Sequence, residues 1–129
     1  MSSETSKLAI VTGASRGIGR AIAEALIEQG YRVLAVARSA DRLAELEQLH
    51  NTEERRVLAV PADITDDSTA ERIVSSALDW AGRIDVLVNN AGIGIFKPAI
   101  ELTAEEFDAM WRLNVRAPMV LTRAVLPQM

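Results

Sequence analysis

A chain of 129 residues, 49% hydrophobic and 25% charged, has the size and composition of one ordinary globular domain rather than a disordered segment. It contains no cysteine and one histidine, His50, which excludes disulfides, thiolate chemistry and a histidine-built metal centre. Its net charge of −4 argues against a general nucleic-acid surface, and no apolar run reaches the roughly 18 residues of a membrane span.

The N-terminal stretch Met1–Lys7 is polar and has no signal-peptide core; with the absence of cysteine this fits a cytoplasmic protein. Leu8–Thr12 is a continuous apolar, β-branched run, the pattern of a strand buried on both faces. A helix is predicted over Gly17–Gln29, with Ile18, Ile22, Ala25 and Leu26 on one face and Gly30 as its left-handed terminator. A second strand, Arg32–Val36, leads to a helix capped by Ser39 and carrying Leu43, Leu46 and Leu49. Asn51–Arg55 reads as a polar loop. A third strand follows at Arg56–Val60, and a helix over Asp66–Ala81 shows Ala70, Ile73, Val74, Ala77, Leu78 and Ala81 at helical spacing, ended by Gly82. Asp85–Asn89 is the fourth strand. The fourth helix starts at Thr103, which makes a capping-box spacing with Glu106, and runs towards Leu126. The order βαβαβαβα in residues 1–129 predicts one domain: an open, doubly wound parallel sheet in the order 3-2-1-4, with helices on both faces.

The first strand ends in Thr12-Gly13-Ala14-Ser15-Arg16-Gly17-Ile18-Gly19, which then opens a helix. That context makes the glycine loop an anion cradle of the Rossmann type. Gly13 permits the turn, Gly17 lets a pyrophosphate approach the backbone, and Gly19 lets the helix pack against the sheet. The helix N-terminus supplies free N–H donors. The competing reading is a glycine-rich turn that binds nothing.

The spacing Gly-x-x-x-Gly-x-Gly, with Asn89-Asn90-Ala91-Gly92 after the fourth strand, resembles the short-chain dehydrogenase/reductase family. Asp63-Ile64 and Asn114 extend the likeness, which runs from Lys7 to Met129 and covers the N-terminal half of a typical member. The resemblance implies a dinucleotide held by Gly13, Ser15, Arg16, Gly17, Ile18 and Gly19. Asp63 would accept from the adenine amino group with Ile64 beside it, and Asn90, Ala91 and Gly92 would line the ribose and pyrophosphate. Asp63 could equally cap the next helix, and Asn89 and Asn90 could brace the strand end.

An NAD site usually has a carboxylate at the end of the second strand. Here Ala37, Arg38 and Ser39 stand there, and no acid repels a 2′-phosphate. Arg38, with Arg16 from the glycine loop, points to NADP(H). One charge-assisted hydrogen bond is worth about 1.5–3 kcal/mol, or roughly 10- to 100-fold in preference. Arg42 could add to the field. The alternative is a set of solvated arginines.

By the same resemblance, hydride transfer would use a Tyr as proton donor, a Lys four residues later, a Ser and an Asn. Asn114 matches the last as a relay remnant, and Pro118 four residues on would free its carbonyl by kinking the helix; a polar residue at a packing bend is the plainer reading. The one tyrosine, Tyr31, has Ala35 four residues on and precedes a strand, as His50 does, so both fall at the wrong end of the sheet. Lys97 lies in the loop after the fourth strand and reads as solvated. These residues are therefore expected to bind NADP(H) without running the family's standard reaction alone. Competing expectations are a short reductase with another proton donor, a non-enzymatic interaction module, and a piece of a longer chain. The strand edge Val86–Val88 and the apolar surplus of the fourth helix (Phe107, Met110, Trp111, Leu113, Val115, Val120, Leu121, Val125, Leu126) predict a homo-oligomer, with no nucleic-acid or membrane partner.

Overall fold

The computed structural model describes residues 6–129; most of the polar N-terminal stretch, residues 1–5, lies outside the described residues. Four strands, β1 (Leu8–Thr12), β2 (Arg32–Ala37), β3 (Val57–Pro61) and β4 (Val86–Val88), form one sheet in the order β3-β2-β1-β4. Every pairing is parallel, with Ile10 opposite both Leu34 and Leu87, and Leu34 opposite Leu58. β1 is central and buried along its whole length, so its five residues read as one apolar run.

The pleat sorts those residues to two cores. Leu8, Ile10, Leu34, Val36 and Val60 pack with Ile73 and Ala77 of α3 (Thr69–Ala81) and with Leu121 and Val125 of α5 (Ala117–Val125). Val11, Val33, Ala35 and Val57 face the other way, onto Ala23 of α1 (Gly17–Glu28) and Leu43 and Leu46 of α2 (Ala40–His50). Helices thus cover both faces, as the strand pattern predicts.

Several details differ. In α1 the buried residues are Gly19 and Ala23, with Ile22, Leu26 and Ile27 partly covered, whereas Ile18 is 74% exposed. Small side chains bring this helix against the sheet, and Ile18 falls one step round the helix from them. Leu49 is likewise exposed at the end of α2. α3 starts at Thr69 rather than Asp66. The Asp66 carboxylate instead accepts from the Ser68 amide and hydroxyl in a turn before the helix, at 3.0 and 2.9 Å. β3 runs one residue later than expected, ending on Pro61, which an edge strand tolerates. β4 is shorter than expected: beyond its ends the Asp85 carboxylate accepts from the Leu8 amide at 2.8 Å, and the Asn89 side-chain amide donates to the Thr122 hydroxyl at 3.2 Å.

The fourth helical segment runs unbroken from Ala104 to Gln128 but is not α-helical throughout. α4 (Ala104–Trp111) begins with the full capping box of Thr103 and Glu106. A π turn over Arg112–Arg116 then precedes α5, and the chain ends in a 3₁₀ turn, Leu126–Gln128. Where a kink at Pro118 is expected, a π turn stands just before the proline. Pro118 sits in the first turn of α5, where its missing N–H costs least, and the turn before it widens so that the Ala117 N–H donates to Arg112, five residues back.

Candidate functional site: a cleft at the carboxyl ends of the strands

A cleft of about 780 Å³ opens at the carboxyl ends of β2, β1 and β4, where the strand order reverses. Its floor is the loop between β1 and α1. Gly13 and Gly17 both have positive φ, 63° and 58°, values that a side chain would strain. A Cβ at Gly19 would run into the Gly13 carbonyl oxygen and Asn90 Nδ2, so only glycine fits there. A Cβ at Gly17 would meet nothing within 4 Å, and that side of the loop is open to a ligand. Arg16, the N-cap of α1, makes no side-chain cap, and the first turn carries no acid. The leading N–H groups of α1 thus face the cleft without a competing carboxylate.

Thr12 joins the two halves of the rim. Its hydroxyl, 1% exposed with the rest of the side chain, accepts from the amides of Asn90 and Ala91, each at 3.0 Å, and donates to the Val88 carbonyl at 3.4 Å. Asn90 Nδ2 in turn donates to the Gly13 carbonyl at 3.3 Å. On the other side, the Ala14 amide donates to the Val36 carbonyl at 3.2 Å, tying the loop to β2. Asn114 reaches across from the π turn: its Oδ1 accepts from the Ile93 amide at 2.9 Å and its Nδ2 donates to the Ile93 carbonyl at 2.7 Å. Both polar ends of Asn114 are occupied in holding the loop after β4.

The cleft is cationic in an acidic protein. Arg16, Arg38, Arg42 and Arg112 all line it, and none enters an ion pair among the described residues. At the far wall, the Thr65 hydroxyl and amide donate to Asp63 Oδ1 at 2.7 and 2.9 Å and hold its carboxyl below the usual carboxylate range, with a smaller contribution from Arg38. The Asp63 carbonyl accepts from the Thr69 hydroxyl at 2.7 Å. The N-cap of α3 is Ser68, so Asp63 is not that helix's cap.

A family model described as short chain dehydrogenase matches residues 7–129. The chain belongs to the short-chain dehydrogenase family. A short chain dehydrogenase of Pseudocercospora fijiensis is 41% identical over 126 residues, which is 95% of this chain and 40% of that protein. Among solved structures, a metagenomic short-chain oxidoreductase in complex with NADP superposes with a TM-score of 0.89 at 38% identity, over 99% of this chain and 58% of that one. A 3-ketoacyl-(acyl-carrier-protein) reductase from Brucella melitensis, complexed with NADH, superposes with a TM-score of 0.88 at 34% identity, over 95% of this chain and 49% of that one. The chain spans about half the length, or less, of the curated relatives it matches.

In this member of the short-chain dehydrogenase family, the cleft is lined by Gly13, Ser15, Arg16, Gly17, Arg38, Ser39, Asp63, Ile64, Asn90, Ala91 and Gly92, all of them candidates from the sequence. Ile18, Gly19 and Asn114 do not line it. Ile18 projects to solvent, Gly19 is buried beneath the loop, and Asn114 acts on Ile93. Ser39 caps α2 by accepting from the Arg42 amide at 3.3 Å. Lys97 is not simply solvated: it pairs with Glu106 at 2.8 Å. Tyr31 and His50 lie at the entering ends of β2 and β3, away from the cleft, and His50 contacts Glu24 at 3.1 Å. The sequence reading missed Thr12, whose strand-forming type hides a hydroxyl role, and Arg112, which with Ala109 and Leu113 lines the cleft from a helix packed there by contacts distant in sequence. Among the described residues no cluster suits a metal, and no helix is long and apolar enough to cross a membrane.

Proposed function

We propose that these residues bind NADP(H), along the carboxyl ends of β2, β1 and β4. One observation carries the reading: β2 ends in Ala37, followed by Arg38 and no acid, and Arg16, Arg38 and Arg42 line the cleft with no ion pair among the described residues. A 2′-phosphate beside Arg38 and Arg16 gains charge-assisted hydrogen bonds and meets no acid at the end of β2, the position where an NAD site usually carries one. The volume lies within the roughly 300–1,000 Å³ of small-molecule sites. The pyrophosphate lies over Gly17 and the uncapped start of α1, and adenine lies against Asp63 and Ile64. The dinucleotide supplies a hydride donor or acceptor when bound. This chain's residues orient it through Asn90, Ala91 and Gly92, which the Thr12 hydroxyl and Asn114 hold in place.

The reading gives these residues cofactor binding and no proton transfer. Tyr31 and His50 are at the wrong end of the sheet, Lys97 is paired, and the Asn114 side chain is committed to Ile93. Calorimetric titration with NADPH and NADH in parallel tests it. Tighter binding of NADPH supports the reading, equal affinity removes the role of Arg38, and no binding of either overturns it.

A second copy of the chain is the partner we infer for the outer helical face. Phe107, Trp111, Val115 and Met119 recur every four residues and are each about half exposed. Such an apolar stripe along a surface helix suits a like partner. A single monomeric species by light scattering at micromolar concentration overturns this. With no cysteine in the chain, we place this assembly in the cytoplasm.

A further inference from the structure

Arg112 stands on a wall of the cleft that the family pattern does not explain. Ala109, Arg112 and Leu113 line the cleft from the helical segment that contains the π turn. One turn further on, Arg116 reaches the Asp67 carboxylate at 2.7 Å, which fixes this helix beside the loop after β3. Arg112 therefore stands on the same side of the cleft as Asp63, Ile64 and Thr65, which line it too. Arg116 is neutralised by its partner, whereas Arg112 enters no ion pair among the described residues.

We propose that Arg112 is an affinity residue for the adenine end of the dinucleotide, its guanidinium plane lying on the face of the base. The inference rests on the cofactor reading above. Guanidinium is planar and weakly hydrated, and it stacks on aromatic faces where an ammonium cannot. Arg38 and Arg112 then divide the labour. Arg38 acts on the 2′-phosphate and distinguishes the two cofactors, while Arg112 acts on the base that both share.

The test is calorimetric titration of the wild-type chain, Arg112→Gln and Arg112→Lys with NADPH and with NADH, each variant first shown by circular dichroism to melt like the wild type. Arg112→Gln is expected to weaken both cofactors by the same factor, about 2- to 30-fold. Arg112→Lys keeps the charge and loses the plane, and it is expected to fall with Arg112→Gln. A loss confined to NADPH makes Arg112 a phosphate ligand and overturns the inference. So does full affinity in Arg112→Lys, or no change in either variant. If the wild-type chain binds neither cofactor, the cofactor reading fails and takes this inference with it; if the wild type binds and the variants match it, only the inference fails.

Discussion

Asn114 treats Ile93 as one backbone peptide treats another: its carboxamide donates to the Ile93 carbonyl at 2.7 Å and accepts from the Ile93 amide at 2.9 Å. Two positions 21 residues apart are thereby locked in register. The loop after β4, which forms one lip of the cleft, is fastened to the π turn at this point. Asn114→Ala removes both bonds from a solvent-accessible site, and each is worth about 0.5–1.5 kcal/mol net. The expected result is a loss of about 1–3 kcal/mol in urea unfolding. Hydrogen exchange at Ile93 should accelerate while the amides of β1 keep their protection. Uniform acceleration across the sheet contradicts a local clamp.

Thr12→Val keeps the shape of the side chain and deletes the oxygen that serves the Asn90 and Ala91 amides. The Asn90 amide keeps the Val88 carbonyl at 3.1 Å, but the Ala91 amide loses its acceptor, which costs about 1–3 kcal/mol. A lower melting temperature is expected, with weaker dinucleotide binding because the β4 side of the rim loses its anchor. Thr12→Ser should restore most of both. Equal stability of the Val variant and the wild type contradicts the role assigned to the hydroxyl.

Gly19→Ala offers a comparison of opposite forces. In an exposed helix the change favours folding by about 1 kcal/mol. At this position the methyl meets the Gly13 carbonyl and Asn90 Nδ2, and overpacking of that kind costs about 1–3 kcal/mol. Net destabilisation with lost cofactor binding is expected from thermal melts and calorimetry. A gain in stability contradicts the close approach.

Arg38→Ala should weaken NADPH by roughly 10- to 100-fold and leave NADH nearly unchanged, because only NADPH carries the phosphate. Parallel titrations of the variant read the ratio directly. An equal loss for both cofactors contradicts the assignment of Arg38 to the phosphate.

Glu106 gives a pH signature. Its carboxyl accepts from Lys97 and from the Thr103 amide, and Lys97 above all holds it down at about 2 from an ordinary 4.5. A depressed carboxyl adds stability that is complete above its unfolded value and disappears as pH falls through its folded value. The stability gap between wild type and Glu106→Gln should therefore be constant above about pH 5 and narrow between 4.5 and about 2. Urea midpoints across that range check it; a gap that widens on acidification contradicts it.

Much of this architecture was legible in the sequence, for reasons that are local. Strands buried on both faces must be apolar at every position, so β1 and β2 announce themselves without knowledge of their neighbours. Gly30 and Gly82 end their helices with φ of 93° and 70°, a need that few other residues meet. The capping box at Thr103 is complete within four residues. Failures came where a residue's role depends on something distant. Hydrophobicity put Ile18 in the core, yet close approach of α1 to the sheet favours Gly19 and Ala23. The partner of the Asn114 side chain lies 21 residues away. Ala109, Arg112 and Leu113 share one helical face, and that this face forms a wall of the cleft depends on the packing of the helix beside the distant loop after β3.

The sheet's pairing has a kinetic consequence. Ile10 meets Leu34 across 24 positions and Leu87 across 77. Closing the longer loop costs about 1 kcal/mol more entropy than closing the shorter. Strand partners distant in sequence also assemble later than near ones. β1, β2 and β3 can therefore dock as a right-handed βαβαβ nucleus before β4 arrives. Both the Thr12 bridge and the Asn114 clamp wait for that last arrival. The cleft thus rests on the strand pairing that spans the longest stretch of sequence in the sheet, β1 with β4.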